Sequence, residues 1–408
     1  MRLKKLFVQT THALGLDIGR YRPEFPPGVV SLRPDYTPKG SVLLAYILEP
    51  FQRQQGKPVP TSHTHHGESV LIAETWREFG YWVDVIDYRN HEFIPRKRYD
   101  FFVSARTHLE TIAARLNPDC VKIAHLDTTH YAFNNQAAYA RVLALAQRRG
   151  TSLPSIRAIE HNRAIECADY GVVLGDSFVV DTYSFAGKPL FALPVPAAVP
   201  HPSPVGKNLT ACRNSFLWFG SSGFVHKGLD LVLEAFTGLL DMKLTVCGPI
   251  SSDNAFEQSY YTELYRTPNI RTAGWVDVSG SEFRDIVQNC VAVIFPSCAE
   301  AQASSVINCM RAGLIPIVTK ETGIPVGDFG ITLGNASILE IHQAVQRLAT
   351  LSTEELALRT QRTWDYAAAH HSHDAYREAY DKIVQKIIAD SAKQPTARNR
   401  ETSQGSSE

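Results

Sequence analysis

The segment from which the fold is most readily predicted reads Ser215-Phe-Leu-Trp-Phe-Gly-Ser-Ser-Gly-Phe-Val-His-Lys-Gly-Leu-Asp-Leu-Val-Leu-Glu-Ala-Phe236. Its first five residues are apolar enough to form a strand buried on both faces, and Gly220 ends that strand. The apolar residues that follow Lys227 recur every three or four positions up to Leu240, which predicts a helix with one buried face. A buried strand that enters a helix through a short glycine-rich loop is the repeating unit of doubly wound α/β folds.

The same alternation of apolar runs and amphipathic segments extends through most of the chain. Besides residues 215–219, strands are predicted at residues 41–48, 82–86, 101–103, 121–124, 171–174, 244–246, 291–295 and 315–318. Helices are predicted at residues 68–79, 107–116, 136–149, 227–240, 255–265, 281–289 and 303–312, and residues 337–390 read as mostly helical. This order predicts an α/β protein with two doubly wound, Rossmann-like domains that face each other across a cleft.

A proline-rich stretch divides the two domains. The stretch from Leu193 to Pro204 contains five prolines, and neither a helix nor a central strand can continue through it. A chain of 408 residues is long enough for two separate cores. We therefore predict an irregular extension at 1–39, a first domain at 40–192, a linker at 193–208, a second domain at 209–360, C-terminal helices at 361–390 and a disordered polar tail at 391–408.

Charge and cysteine usage restrict the class of protein. The 41 basic and 41 acidic residues balance, which disfavours a nucleic-acid partner. The seven cysteines are odd in number and form no CxxC pair, which indicates free thiols in a reducing compartment. No apolar stretch reaches the roughly 18 residues that span a bilayer, and the N-terminus does not read as a signal peptide. The sequence therefore predicts a cytoplasmic protein with, at most, peripheral contact with the inner face of a membrane.

The loop after the strand at 215–219 is a candidate phosphate site. Gly220 and Ser221 are small enough to let backbone amides approach a phosphate, and the start of the next helix adds a partial positive charge. Lys227 would add a full positive charge. The alternative is an ordinary turn with an exposed lysine, because a glycine-rich loop alone is a weak signal.

A second candidate site follows the strand at 291–295. Glu300 lies in a loop of small residues, where a carboxylate can accept hydrogen bonds from sugar hydroxyls. The backbone amides of Ser304 and Ser305 open the next helix and can face a diphosphate. The alternative is that one of these serines caps the helix and that Glu300 is solvated.

The first domain offers candidates for the opposite side of the cleft. Three histidines crowd the segment 63–68, but no cysteine or carboxylate pattern completes a metal site, so we interpret His65 and Gly67 as part of a polar loop facing the cleft. His125 follows a predicted strand and can hydrogen-bond a substrate hydroxyl, although its position fits a structural role equally well. Glu160 precedes another predicted strand and is a candidate for the acceptor side.

Together these motifs resemble the retaining glycosyltransferases of family 4, which have the GT-B fold. The resemblance covers roughly residues 40–390. It rests on Leu217-Trp-Phe-Gly220, on His226-Lys-Gly-Leu-Asp-Leu-Val-Leu-Glu-Ala-Phe236, on Pro296-Ser297 with Glu300, and on Met310-Arg-Ala-Gly-Leu-Ile-Pro316. It implies that the final helix, near residues 364–389, crosses back to the first domain.

The resemblance also implies a role for each candidate residue. Glu300 would contact the transferred sugar, and Lys227 would contact the diphosphate of the donor. His125 would contact the sugar near the reaction centre. Backbone near the end of one strand would hold the nucleotide base, and the matching positions are Gly274, Trp275 and Val276.

Three positions depart from the pattern of the family. Asn308 stands where the second Glu of an E-x7-E motif would hold the ribose hydroxyls, and an amide makes weaker hydrogen bonds because it carries no charge. Ser221 replaces an arginine that would face the diphosphate, and Ala301 replaces a glycine. Each change is expected to weaken donor binding.

The resemblance predicts a metal-independent hexosyltransferase of polysaccharide biosynthesis. It would move a sugar, with retention of configuration, from a nucleotide-sugar donor to a glycan or glycolipid acceptor, and it would need no cofactor beyond the donor itself. Two alternatives stay open. One is a catalytically degenerate GT-B protein that binds a nucleotide or glycan as a partner in an assembly, and the other is a sugar-nucleotide epimerase.

Overall fold

The computed structural model describes residues 28–53 and 64–393 and contains two β-sheets. The strands are, in chain order, β1 (Val30–Leu32), β2 (Gly40–Tyr46), β3 (Tyr81–Asp87), β4 (Phe101–Ala105), β5 (Val121–Leu126), β6 (Tyr170–Leu174), β7 (Leu190–Leu193), β8 (Ser215–Phe219), β9 (Lys243–Cys247), β10 (Ile270–Gly274), β11 (Ala292–Phe295), β12 (Ile315–Thr319) and β13 (Ile331–Leu333). The first sheet has the order β1-β3-β2-β4-β5-β6-β7 and the second the order β10-β9-β8-β11-β12-β13. All neighbouring strands pair in parallel except β1 with β3. The predicted α/β class with two parallel sheets is confirmed.

The helices lie in the connections between these strands and at the C-terminal end. They are α1 (Thr64–Glu78), α2 (Leu109–Ala113), α3 (Tyr131–Arg149), α4 (Ala164–Cys167), α5 (Ser177–Asp181), α6 (Leu209–Cys212), α7 (Leu229–Thr237), α8 (Asn254–Ser259), α9 (Tyr261–Tyr265), α10 (Ser281–Gln288), α11 (Ser304–Arg311), α12 (Ile338–Ala349), α13 (Thr353–His370) and α14 (His373–Lys393). Within the described part of the chain, no helix is both long and apolar enough to cross a bilayer.

The central strands are buried along their whole length. Every residue of β4, β6, β11 and β12 is buried. Burial of both strand faces requires helices on both sides of a parallel sheet, which explains why these strands read as continuous apolar runs in the sequence.

Several predicted boundaries are wrong. The segment predicted as an irregular extension contains β1 in its described part, and the predicted linker begins inside β7. The boundary predicted between residues 360 and 361 falls inside α13, and the predicted helix at 255–265 is broken into α8 and α9. The predicted tail begins inside α14, which ends at residue 393. The rest of the predicted extension and tail, residues 1–27 and 394–408, lies outside the described residues.

Helix α7 begins two residues later than predicted because of the glycine that precedes it. Gly228 has a φ of +70°, in the left-handed region that a helix cannot include. A Cβ at this position would lie 2.6 Å from the carbonyl oxygen of Pro296. Lys227 precedes this glycine and therefore belongs to the loop after β8 and not to the helix.

The last helix packs against the first domain. The indole Nε1 of Trp76 on α1 donates to the hydroxyl of Tyr380 on α14 at 3.1 Å, and both side chains are buried. On the same two helices, the Thr75 hydroxyl donates to Asp381 at 3.1 Å. Helix α13, in contrast, packs against α6, α11 and β12 of the second domain. The chain therefore crosses between the domains once more between α13 and α14.

This second crossing is hydrogen-bonded to the proline-rich linker. The amide of Ala197 donates to the carbonyl of His371 at 2.8 Å. The buried imidazole of His371 donates through Nδ1 to the carbonyl of Val195, also at 2.8 Å. The two segments that join the domains therefore form one structural unit.

Two arginines on α3 of the first domain form ion pairs with the second domain. Arg148 contacts the buried carboxylate of Asp230 at 2.6 Å, and Arg149 contacts Glu263 at 2.5 Å. Both carboxylates belong to the second domain. One cleft lies between the two domains that these ion pairs join. The loop after β5 of the first sheet lies on one wall of this cleft, and the loops after β8 and β11 of the second sheet lie on the other.

Candidate active site

The loop after β8 contributes a buried lysine to the cleft. The ammonium of Lys227 donates to the Ser221 hydroxyl at 3.0 Å, and both residues line the cleft. Burial lowers the pKa of Lys227 to about 8, Glu300 opposes this shift, and Arg157 adds to it. Gly220 also lines the cleft, and a Cβ there would lie 2.8 Å from the indole of Trp218. One side of the loop is therefore tightly packed against Trp218, and the other side faces the cleft.

The loop after β11 places Glu300 beside that lysine. Burial would raise the pKa of Glu300, but Arg157, Lys227, His226 and a hydrogen bond from Ser297 outweigh it and lower the pKa to about 2. The Ser297 hydroxyl donates to Oε1 at 3.0 Å, and Arg157 Nη1 lies 3.3 Å from the same oxygen. The side chain is thus a fixed carboxylate, not the solvated glutamate of the alternative interpretation.

Three side chains that the sequence analysis does not single out fix the shape of the Glu300 loop. His226 Nε2 donates to the carbonyl of Ala299 at 2.5 Å, and burial lowers the pKa of this histidine to about 4. Thr319 at the end of β12 donates to the carbonyl of Ser297 at 2.5 Å. The Gln302 amide joins the loop to the linker, because its oxygen accepts from the Val195 amide at 2.7 Å.

The start of α11 faces the same cleft. Ser304 and Ser305 form its first turn and line the cleft, and the residue before the helix, Ala303, has no side chain that could cap it. The first amides of a helix have no partner within the helix, so these two point toward any ligand placed there. Neither serine is the helix cap that the alternative interpretation requires.

Asn308 lines the cleft, but its amide is already engaged. Its Oδ1 accepts from the Ala198 amide in the linker at 2.9 Å, and its Nδ2 donates to the carbonyl of Ser304 at 2.8 Å. The residue is buried. A side chain that supports the linker in this way has little freedom to turn toward a ribose.

The segment after β10 forms another wall. Gly274 has a φ of +80°, which turns the chain at the end of the strand. Trp275 and Val276 both line the cleft, and Trp275 is 62% exposed while Val276 is buried. An exposed indole beside buried backbone is suited to stack against a planar ring.

The first domain contributes His65 to the cleft, from a position that differs from the prediction. His65 lies in the first turn of α1 and not in a loop, and its Nδ1 donates to the buried carboxylate of Glu68 at 2.6 Å. Its Nε2 lies 4.0 Å from Asp127, which also lines the cleft. Residue 63, which begins the histidine-rich motif, lies outside the described residues.

The other first-domain candidates do not line the cleft. His125 is buried against the ring of Tyr46, with the ring centroids 5.0 Å apart, and burial lowers its pKa to about 4. Gly67 lies inside α1, where a Cβ would meet nothing within 4 Å. Glu160 is exposed, and it precedes strand β6 as predicted, with the short helix α4 between them.

Arg157 lines the cleft and has no counterpart in the sequence analysis. It lies in an irregular segment between α3 and α4, where no periodicity or motif marks it.

Among residues 28–53 and 64–393, no group of three or more His, Cys, Asp or Glu side chains could hold a metal ion. The seven cysteines are free, and six of them are buried.

Residues 213–350 match the family model for Glycosyl transferases group 1. The matched range contains β8 to β13 with the loops that carry Ser221, Lys227 and Glu300. No curated protein sequence matches the chain.

Solved structures share the two-domain arrangement at low sequence identity. Sucrose-phosphate synthase from Thermosynechococcus elongatus is 12% identical with a TM-score of 0.59, over 86% of this chain and 99% of that chain. HepE of Anabaena, in complex with UDP and glucose, is 12% identical with a TM-score of 0.52, over 86% and 100%. A TarM mutant of S. aureus, in complex with Fondaparinux, alpha-GlcNAc-glycerol and UDP, is 14% identical with a TM-score of 0.50, over 68% and 54%. The chain thus spans about half the length of TarM.

At these identities the solved structures show the fold alone, and the matched family model describes only residues 213–350. The two sheets and the cleft between them are the arrangement expected for the GT-B fold. The chain therefore has a fold of GT-B type that contains a glycosyl transferases group 1 domain.

Proposed function

We propose that the protein transfers a hexose from a nucleotide-sugar donor to a glycan or glycolipid acceptor, with retention of configuration and without a metal ion. The observation that carries the proposal is the juxtaposition of a buried lysine, a buried carboxylate and the open first turn of a helix in one cleft. The lysine and the helix amides suit a diphosphate, and the carboxylate suits sugar hydroxyls.

The donor would lie across the second domain. Its diphosphate would contact Lys227, Ser221 and the amides of Ser304 and Ser305, and its base would lie against the Trp275 segment. The transferred sugar would then reach Glu300. A glycan acceptor would approach from the wall that carries His65 and Asp127, and a glycolipid acceptor would bring the protein to the inner face of a membrane from the cytoplasm.

Retention would follow from front-face attack, in which neither Glu300 nor His226 serves as the base. Glu300 and His226 are weak bases, because their pKa values lie at about 2 and about 4. A leaving diphosphate is then the better acceptor for the proton of the attacking hydroxyl. The bond from the anomeric carbon to the phosphate oxygen breaks, the acceptor oxygen bonds to the same face, and its proton moves to the leaving phosphate. Lys227 would stabilise the charge that develops on that phosphate.

Nucleotide binding provides the primary test. UDP is the first nucleotide to titrate because it is present in the HepE and TarM structures, followed by GDP and ADP. We expect one of them to bind wild-type protein and Lys227→Ala to bind it about 10- to 100-fold more weakly, the value of a lost charge-assisted hydrogen bond. Calorimetric titration measures both affinities.

Lys320→Ala is the matched control, because Lys320 follows β12 and is exposed and does not line the cleft. It should bind the nucleotide as the wild type does. Equal affinity in wild type and Lys227→Ala would contradict the placement of the diphosphate.

The same lysine predicts a pH dependence. Its ammonium form is complete well below its pKa of about 8 and is lost as the pH rises through that value. We therefore expect affinity for the nucleoside diphosphate to be about tenfold weaker at pH 9 than at pH 7, with proton uptake on binding at pH 9. Calorimetry in buffers of different ionisation enthalpy measures both quantities.

In Lys227→Arg the dependence should disappear, since a guanidinium stays charged throughout this range. A slope that persists in this variant would assign the titration to another group.

A catalytically degenerate binding protein is the second candidate. The observation in its favour is at Asn308, which has no carboxylate and whose amide oxygen is already bound by the linker, so that it is not free for the ribose. Incubation of the nucleotide-sugar with purified protein separates the candidates. Release of the nucleoside diphosphate, as transfer or as slow hydrolysis, supports the enzyme, whereas nucleotide binding without turnover supports the degenerate protein.

A further inference from the structure

Arg157 extends from the first domain to the donor wall of the second. Its Nη1 lies 3.3 Å and 3.4 Å from the two carboxylate oxygens of Glu300. Its side chain is 45% exposed and lines the cleft, so the guanidinium is accessible to a ligand. The contact joins residues that are 143 positions apart in the chain.

The backbone around Arg157 is fixed by two asparagines of α3. Buried Asn134 donates to the carbonyl of Arg157 at 3.0 Å. Asn135 accepts from the amide of Ile159 at 2.7 Å and donates to its carbonyl at 2.8 Å. Three hydrogen bonds to one helix therefore hold an otherwise irregular segment, while the arginine side chain keeps its freedom.

The aliphatic part of the side chain lies against the phosphate loop. A Cβ added to Gly223 would come within 3.1 Å of Arg157 Cδ, so the absence of a side chain at position 223 makes room for the arginine. Gly223 lies between Ser221 and Lys227 in the chain. The guanidinium thus lies above the loop proposed to hold the diphosphate.

The charges near the proposed diphosphate site favour a second cation. Lys227 and Glu300 cancel each other, and Ser221 is neutral. The diphosphate of a nucleotide-sugar carries two negative charges. Without Arg157, the residues nearest the phosphates would provide no net positive charge. A guanidinium can bind two phosphate oxygens through a planar pair of parallel N–H groups, a geometry that the ammonium of a lysine does not have.

We propose that Arg157 is a donor-binding residue supplied by the first domain, and that it exchanges the Glu300 carboxylate for the diphosphate when the donor binds. The inference rests on the proposed function and extends it. The exchange would free Glu300 to accept hydrogen bonds from the transferred sugar. Because the arginine and the lysine belong to different domains, a bound diphosphate would also hold the two domains together.

The experiment compares UDP with uridine on wild type, Arg157→Gln and Arg157→Lys, with the guanosine or adenosine pair used instead if wild type binds that diphosphate. We expect Arg157→Gln to bind UDP at least about tenfold more weakly and to bind uridine within about twofold of wild type. Arg157→Lys should recover part of the loss, because lysine restores the positive charge but not the paired N–H groups of a guanidinium. Calorimetry measures UDP, and ligand-observed NMR measures uridine at millimolar concentration.

Arg163→Gln is the matched control, since Arg163 is exposed, lies at the end of the same segment and does not line the cleft. It should match wild type for both ligands. An unchanged UDP affinity in Arg157→Gln, or an equal loss for UDP and uridine, would overturn the inference while leaving the proposed function in place. Failure of wild type to bind any nucleoside diphosphate would overturn the proposed function, and the inference with it.

Discussion

Replacing Glu300 by glutamine is expected to slow sugar transfer by about 100- to 1,000-fold, the range found when one preorganised electrostatic group is removed from an active site. Glycosyl transfer passes through a transition state with positive charge on the sugar ring. A carboxylate with a pKa of about 2 is fully ionised at neutral pH and stabilises that charge. Glutamine keeps the size of the side chain and removes the charge. Steady-state transfer or donor hydrolysis, followed as released nucleoside diphosphate, measures the effect.

The same substitution should shift the pH at which donor binding weakens. Glu300 raises the pKa of Lys227, so its removal lowers that pKa further below about 8. The loss of affinity with rising pH should then begin at a lower pH in Glu300→Gln than in wild type. A slower transfer without this shift in pH dependence would contradict the effect of the Glu300 charge on the pKa of Lys227.

Glu321→Gln is the control for this prediction. The backbone carbonyl of Glu321 accepts from the Glu300 amide at 2.9 Å, and its side chain lies 4.0 Å from Lys320 on the far side of the loop. Because the backbone contact is kept, Glu321→Gln should transfer sugar at the wild-type rate. Near-normal transfer by Glu300→Gln, with correct folding shown by circular dichroism, would exclude Glu300 from the reaction.

Replacing Gly323 by alanine is expected to destabilise the fold and to impair the site together. Gly323 has a φ of +66°, and an added Cβ would overlap the carbonyl oxygen of Ala301. The left-handed backbone costs about 1–2 kcal/mol for alanine, and forced repacking adds about 1–3 kcal/mol. Since Ala301 follows Glu300 directly, relief of the overlap moves the carboxylate. We expect a lower free energy of unfolding by about 2–5 kcal/mol and at least tenfold slower transfer.

Gly150 offers a control with the same backbone conformation. Its φ is also +66°, at the end of α3, but a Cβ there would meet nothing within 4 Å. Gly150→Ala should therefore lose only the conformational part, about 1–2 kcal/mol, and keep wild-type transfer. Urea unfolding and the transfer assay measure both variants. Equal losses of stability in the two variants would show that the carbonyl of Ala301 adjusts freely.

The fold could be predicted where burial is continuous. Strands β4, β6, β11 and β12 are buried at every position and were recognisable as apolar runs. The four strands that were not predicted are largely exposed or half-buried, since β1, β7, β10 and β13 each have at most one buried residue. Such strands lie at or near the edges of the sheets and carry no hydrophobic pattern that distinguishes them from loops.

The candidate site could be predicted where its residues directly follow buried strands. Lys227 and Glu300 lie in loops that directly follow buried strands, so their place at one sheet edge follows from the order of the elements. Arg157 belongs to an irregular segment, and only the packing of α3 brings it to Glu300. The engagement of Asn308 by the linker depends on the same kind of long-range packing, which no spacing in the sequence expresses.

The hydrogen bonds between the linker and His371 have a mechanical consequence. Two separate segments cross between the domains, and Val195, Ala197 and His371 bind them side by side at one point. A body attached to another at one narrow joint can rotate about it but cannot slide past it. Opening of the cleft would therefore be a rotation about this joint, and it would have to break the ion pairs of Arg148 and Arg149 between the domains.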